Sequence, residues 1–249
     1  MNAASIRKSD WIHIFFRSFY IQAAWNYPRM LALGFANSMA QIINRICRTK
    51  EERVDFLLRH LEFFNAHPYF ASFVLGAAIH VEDGRRNDKS ERVRKIKNGL
   101  CGPLGSLGDQ FFWNGLRPLA GIVGAVIALR GSLWGPIVFL AVYNLPHLWV
   151  RYWGLRRGFE LGPRVFSELV RPLYKKSIRS IRVLGAIAVG FFLSVECVSS
   201  FQVSISYLVL FLLFIIYYWV ALKRRVSLFF VIPVALIIGF ITAYIRCSL

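Results

Sequence analysis

GPLGSLGDQFFWNGLRP, residues 102–118, decides how the rest of this chain is read. Gly102-Pro103 and Gly105 predict a turn, because glycine accepts positive φ and proline fixes its own. Gly108-Asp109 then predicts a helix start, with the Asp109 carboxylate able to cap unpaired backbone N–H groups. From Phe111 onward the sequence is almost wholly apolar for the length of a membrane span. A single carboxylate, Asp109, and one arginine, Arg117, therefore fall where broken backbone meets lipid depth. Irregular backbone is tolerated there only against protein or a water-filled cavity. The combination points to a transport site or a partner-facing elbow.

Working outward, apolar segments cover roughly 111–129 (interrupted by Pro118), 131–150, 183–203, 205–222 and 226–245. With 56% hydrophobic residues, the chain reads as a membrane protein. A formal charge of +18 would suggest nucleic acid in a soluble protein. Here the basic residues cluster between apolar runs, so no nucleic-acid partner is expected. Positive-inside orientation and contact with anionic lipid headgroups account for the charge. Basic stretches at 85–97, 151–182 and 223–225 belong in the cytoplasm, and the junctions near Arg130 and 196–204 outside. The N-terminus is then cytoplasmic and the C-terminus external. Small residues Ala120, Gly124, Ala128, Ala186 and Gly190 permit close helix contact.

The N-terminal half is different in kind. Residues 11–47 carry aromatic residues at helical spacing, and Pro28 predicts a second helix with the proline in its first turn. Thr49 and Glu52 form a capping box opening a helix to about Phe64, with Val54, Leu57, Leu58, Leu61 and Phe64 as its apolar face. Residues 69–81 are apolar but too short to span, as suits a re-entrant or buried hairpin arm. Residues 82–97 read as a solvated charged loop. The expected fold is all-α and polytopic. An N-terminal amphipathic and re-entrant part covers 1–110. A transmembrane part covers 111–249, with about five hydrophobic segments and the basic cytoplasmic segment 151–182.

Chemistry-bearing motifs are scarce. The cysteines (47, 101, 197, 247) form no CxxC pair, so neither a disulfide framework nor a metal site is expected. Lys8 and Asp10 interrupt the N-terminus against a cleavable signal peptide. His60 and His67 read as surface polar residues, since His60 and Glu62 do not share a helix face. No residue has the surroundings of a phosphoryl-transfer catalyst, so the chain is not expected to be an enzyme or to hold a cofactor. Trp113 offers a face on which a sugar ring could stack. Asn144 and His147, flanking Pro146, fall at the interfacial end of the second span.

Four motifs carry a resemblance: FYIQAAWNYPRMLALGF (19–35), RHLEFFNAHPYFASFVLG (59–76), GPLGSLGDQFFWNGLRPL (102–119) and GPIVFLAVYNLPHLWVRYWG (135–154). In this order, over roughly 10–162, the chain resembles the IID membrane subunit of the mannose/fructose/sorbose family of bacterial sugar phosphotransferase systems. The resemblance implies a permease subunit in the bacterial inner membrane, paired with a IIC subunit in an oligomer of IIC–IID pairs. It also implies a hexose-type sugar and phosphoryl transfer on separate IIA and IIB proteins. Hydroxyl recognition needs planar amides, carboxylates and aromatic faces. Within the matching motifs that selects Gln22, Trp25, Asn26, Asn65, Asp109 and Trp113 as sugar contacts. Residues 171–185, RPLYKKSIRSIRVLG, are more basic than the family's usual segment. They leave an alternative, a non-transporting membrane scaffold or regulatory subunit that docks cytoplasmic partners.

Overall fold

The computed structural model describes residues 6–84, 88–169 and 172–200, and every element among them is helical. The chain divides into two units, Met1–Gly190 and Phe191–Leu249. The fourth and fifth apolar segments of the sequence lie outside the described residues, as does the basic stretch 223–225. The centre of the first unit is α5 (Ala71–Asp83), a helix apolar on all sides and buried over nearly its whole length. Around it lie α1 (Lys8–Arg17), α2 (Ala32–Met39), α3 (Ile43–Ile46) and α4 (Lys50–His60) on the N-terminal side. After it come α6 (Lys89–Gly108), a π-helical segment (Asp109–Leu116), α7 (Arg117–Leu129), α8 (Trp134–Leu161), α9 (Val165–Leu169) and α10 (Pro172–Ser200).

Glycines set how closely α5 and α8 approach. A Cβ added at Gly76 would strike the Leu155 carbonyl, and one at Gly158 would strike that of Phe73. Gly154 and Gly158, four apart on α8, therefore bring the two backbones together, as small residues do between membrane helices. The same device joins α7 to α8. A Cβ at Gly124 would come within 2.8 Å of Phe139 Cβ, and one at Gly135 within 2.7 Å of Ala128 Cβ. Gly131, at φ +77°, makes the tight turn between them. The hairpin leaves Leu129, Leu133, Trp134, Ile137 and Leu140 exposed, an apolar surface suited to lipid.

The largest departure from the sequence reading is at 102–109. No turn forms. Lys89–Leu129 is one continuous helical run, and among the described residues it is the one helix long and apolar enough to cross a membrane. The buried stripe Val93, Ile96, Lys97, Leu100, Leu104 and Gly108 keeps helical period straight through Gly102 and Pro103. Packing along that stripe outweighs the local preference, the N–H that Pro103 lacks and the crowding of its ring against the carbonyl four residues before. Asp109 is consequently inside a helix and caps nothing. The boundary expected at 110/111 falls within this run.

Smaller corrections follow the same logic. Pro28 is in a loop, and the second helix begins at Ala32. An Asx turn, Asn26 Oδ1 accepting Arg29 N–H at 3.0 Å, holds the chain out of helix there, and Met30 has φ +53°. The Thr49–Glu52 capping box forms, but α4 ends at His60 and leaves Val54 and Leu58 exposed. It buries Phe56, Arg59 and His60 instead, because partners for the polar pair lie on α5. The charged stretch 82–97 is not a solvated loop. Glu82 ends α5 and Lys97 lies in α6, and both are fully buried. Within the basic stretch 151–182, α8 runs on to Leu161 and Arg151 is buried. Arg151 Nη1 donates to Ser18 O at 2.5 Å and Ser18 Oγ at 3.1 Å, with its guanidinium between the rings of Phe19 (4.8 Å) and Tyr69 (5.1 Å).

Glu82 ties α4 to α5. Its carboxylate accepts from Arg59 Nε (2.6 Å) and Nη2 (2.9 Å) and from His60 Nε2 (3.1 Å). Burial pushes the Glu82 carboxyl up, but the His60 and Arg59 hydrogen bonds outweigh it and hold it at about 2. Burial keeps His60 below its ordinary value, hence neutral and donating. Lys97 Nζ closes the end of α4, donating to the carbonyls of Arg59 (3.3 Å), His60 (3.2 Å) and Glu62 (2.7 Å).

Three outcomes are expected from thermal unfolding of the detergent-solubilised protein. Gly158→Leu destabilises it by about 1–3 kcal/mol through overpacking, whereas Gly99→Ala, where an added methyl meets nothing, stabilises it by roughly 0.5–1 kcal/mol. Glu82→Gln, which leaves Arg59 buried without its counter-charge, costs about 3–5 kcal/mol. Because the carboxyl is held down in the fold, its contribution is full above its usual value of 4.5 and fades as the pH falls toward about 2. The variant's stability is correspondingly flatter across that acid range.

Candidate functional site

Two loops and one helix face enclose a cleft. The first loop, between α1 and α2, is joined to the second, between α4 and α5, by backbone hydrogen bonds. Leu31 N–H donates to Phe64 O at 2.9 Å and Phe64 N–H to Arg29 O at 3.4 Å. Within the first loop, Met30 N–H donates to Asn26 O at 2.7 Å. This frame presents Gln22 and Trp25 from one loop and Phe63, Asn65, Ala66, His67 and Pro68 from the other. The third wall is the α6–π face.

That face repeats every four residues: Cys101 and Gly102, Gly105 and Ser106, Asp109 and Gln110, Trp113 and Asn114 all line the cleft. A four-residue step overshoots the 3.6-residue α turn and undershoots the wider i→i+5 turn. On a uniform helix such a row would wind away from the cleft. Here the drift along α6 is reversed along the π segment, so eight residues stay on one side. Gly102 and Gly105 leave the wall bare, and a Cβ at either would meet nothing. Gly108 serves the opposite purpose, since a Cβ there would strike the His67 side chain.

The cleft holds about 740 Å³, within the usual range for small-molecule sites. Its lining has amides (Gln22, Asn65, Gln110, Asn114), the Ser106 hydroxyl, one carboxylate (Asp109) and two tryptophans. Among the described residues no lysine or arginine lines it, although the chain carries 31 of them. Gln110 is anchored at both ends, donating to Ser106 Oγ at 2.9 Å and accepting from Arg182 Nη2 at 2.9 Å. Trp25 and Trp113 are both about half exposed. The surroundings suit a neutral polyol: amides for hydroxyls, a carboxylate for a hydroxyl pair, and aromatic faces for C–H groups. Among the described residues they offer a phosphate no lysine or arginine on the walls.

Five of the six residues selected from the sequence, Gln22, Trp25, Asn65, Asp109 and Trp113, meet in this cleft. Asn26 does not. Its side chain is used in the loop, accepting from Arg29 N–H and donating to Ala24 O at 3.3 Å. The sequence reading missed Ser106, Gln110, Asn114 and His67. For the first three the four-residue repeat of small and polar residues was the available signal. His67, like His60, is buried rather than on the surface. Asn144 and His147 bond one another at 3.1 Å, and His147 stacks on Tyr69 at 4.5 Å, outside the cleft.

Comparison with known proteins places the chain in one family. The model of the PTS system mannose/fructose/sorbose family IID component matches residues 5–247. The mannose-specific EIID component of Escherichia coli K12 is 36% identical over 189 residues, which is 74% of this chain and 67% of that protein. The sorbose-specific EIID component of Klebsiella pneumoniae is 33% identical over 193 residues, 76% and 70% respectively. Among solved structures, a chain in the cryo-EM structure of the mannose transporter ManYZ with microcin E492 is 30% identical over 98% of both chains, with a TM-score of 0.61. A second solved membrane protein, also 30% identical over 98% of both chains, has a TM-score of 0.74. The chain therefore belongs to the mannose/fructose/sorbose family of sugar phosphotransferase systems, as a IID membrane permease component.

Proposed function

We propose that this IID component pairs with a IIC subunit in the bacterial inner membrane and that its cleft contacts a neutral hexose on the translocation path. The observation that carries this reading is convergence. Residues from three motifs far apart in sequence, 19–35, 59–76 and 102–119, meet around one cleft of sugar size. Its lining offers amides, a carboxylate and aromatic faces in a chain of charge +18. A lining without lysine or arginine among the described residues favours the free sugar over its phosphate. The site then engages substrate before phosphoryl transfer and does not retain the product. Phosphoryl transfer itself falls to separate IIA and IIB proteins. Kinship with a protein solved as a mannose transporter supports a hexose. The N-terminus is cytoplasmic, the basic surface meets anionic lipid, and IIC–IID pairs form the oligomer.

Within the cleft, Trp25 and Trp113 supply stacking faces, Gln22 and Asn65 reach from the loops, and Asp109 accepts from sugar hydroxyls. Asn26 shapes the loop that carries Gln22 and Trp25. The test is sugar uptake in cells lacking their own mannose-type permease, with this chain co-expressed with its IIC, IIA and IIB partners. Uptake is expected to need the chain. Asp109→Asn should lower it by about tenfold or more, the effect of weakening hydrogen bonds to a charged group. Unchanged uptake with Asp109→Asn returns that residue to a structural role. A stable IIC complex without uptake of any sugar favours the scaffold reading.

A further inference from the structure

Histidine 67 is held on three sides. Its ring stacks on Phe112 (centroids 5.4 Å, 13°), meets the edge of Tyr69 (4.9 Å, 78°), and rests against Gly108 where no Cβ fits. Nδ1 accepts the Tyr69 N–H at 3.4 Å, so the ring proton is on Nε2. Nε2 is sealed from solvent and has no hydrogen-bond partner among the described residues. Two other buried histidines, His60 and His147, also leave a ring nitrogen unpaired, but neither lines the cleft, whereas His67 does. A buried donor left unmade costs about 1–3 kcal/mol and calls for an explanation. Phe70 lies farther off (6.2 Å, 76°), and the remaining aromatic neighbour of the ring is Trp113, tilted at 59° with centroids 4.9 Å apart. Trp113 is 43% exposed and makes no other aromatic contact among the described residues. It follows that His67 is fixed and Trp113 is the member of the pair with room to move.

We propose that His67 is a specificity-determining residue that gives its Nε2–H to one sugar hydroxyl, and that Trp113 is the movable cover shielding this donor while the cleft is empty. The inference rests on the sugar-contact reading of the cleft. On binding, Trp113 turns onto the C–H face of the ring, and the uncovered N–H finds its acceptor. Two interactions then strengthen together, so binding relieves an unmade bond that the empty cleft carries.

The test uses the purified IIC–IID complex and calorimetric binding of D-mannose, D-glucose, D-fructose and L-sorbose. The single-deoxy derivatives of whichever hexose binds are then measured. His67→Phe keeps the ring stack and removes the donor, so the complex should melt no lower than wild type. Hexose affinity should fall at least tenfold, and for one deoxy derivative the parent-to-deoxy affinity ratio should collapse toward one. Wild-type ratios at every position overturn the role of His67. Trp113→Ala should let diethyl pyrocarbonate label His67 in the sugar-free complex, read by peptide mass spectrometry, where wild type is unlabelled. Absence of labelling in Trp113→Ala overturns the cover. Gly105→Leu, which fills the cleft from an open position, separates the two levels. If it leaves hexose binding intact, the cleft reading falls and this inference with it. If it abolishes binding while His67→Phe keeps wild-type ratios, only the inference falls.

Discussion

A carboxylate that cannot leave the interior organises this fold. Glu82 is sealed at the end of α5 and must be paired, because an isolated buried charge is prohibitively costly. Arg59 and His60 satisfy it, which fixes the last turn of α4 against α5. Lys97, equally sealed, spends its donors on the α4 carbonyls and fixes α6 to the same point. The loop that follows α4 therefore leaves from a set position, and it carries Asn65 and His67. Electrostatic necessity at one end of the molecule thus places amide and imidazole at the cleft.

Close backbone contact does the complementary work. Gly76 with Gly154 and Gly158 sets α8 against α5, and Gly124 with Gly135 sets α7 against α8. The long helix from Lys89 is held along its buried stripe while its other face stays open. Its π segment keeps Asp109 and Trp113 turned toward the loops rather than toward α10. Backbone irregularity, expected from the sequence as a turn, appears instead as a change of helical pitch. Both solutions answer the same problem, a polar wall at a helix surface otherwise built for apolar packing.

Much of this was legible in the residues. The Thr49–Glu52 box and the small-residue contact at Gly124 and Ala128 formed as read. Five cleft residues were identifiable because their motifs matched a family and their side chains suit hydroxyls. Apart from the loop at Pro28, which a local Asn26–Arg29 bond sets, the failures were long-range. Helix through Gly102-Pro103 is decided by Val93, Ile96, Leu100 and Leu104 meeting α5 and its neighbours. The inward face of α4 was misassigned because Arg59 and His60 look like surface residues until Glu82 is brought to them from 22 and 23 positions away. His67 looked exposed because Gly108, which receives it, is 41 residues distant in the chain. No window of sequence contains both partners of these contacts.

The hydrogen bonds that join the two loops walling the cleft, Leu31 to Phe64 and Phe64 to Arg29, run between main-chain atoms. Main-chain bonds are indifferent to which side chains stand beside them. Gln22, Trp25 and Asn65 can therefore be exchanged without loosening the frame that presents them. With the sugar-contact role proposed for the cleft, a permease built this way acquires a new diet by point substitution in its loops, while its helices are inherited unchanged.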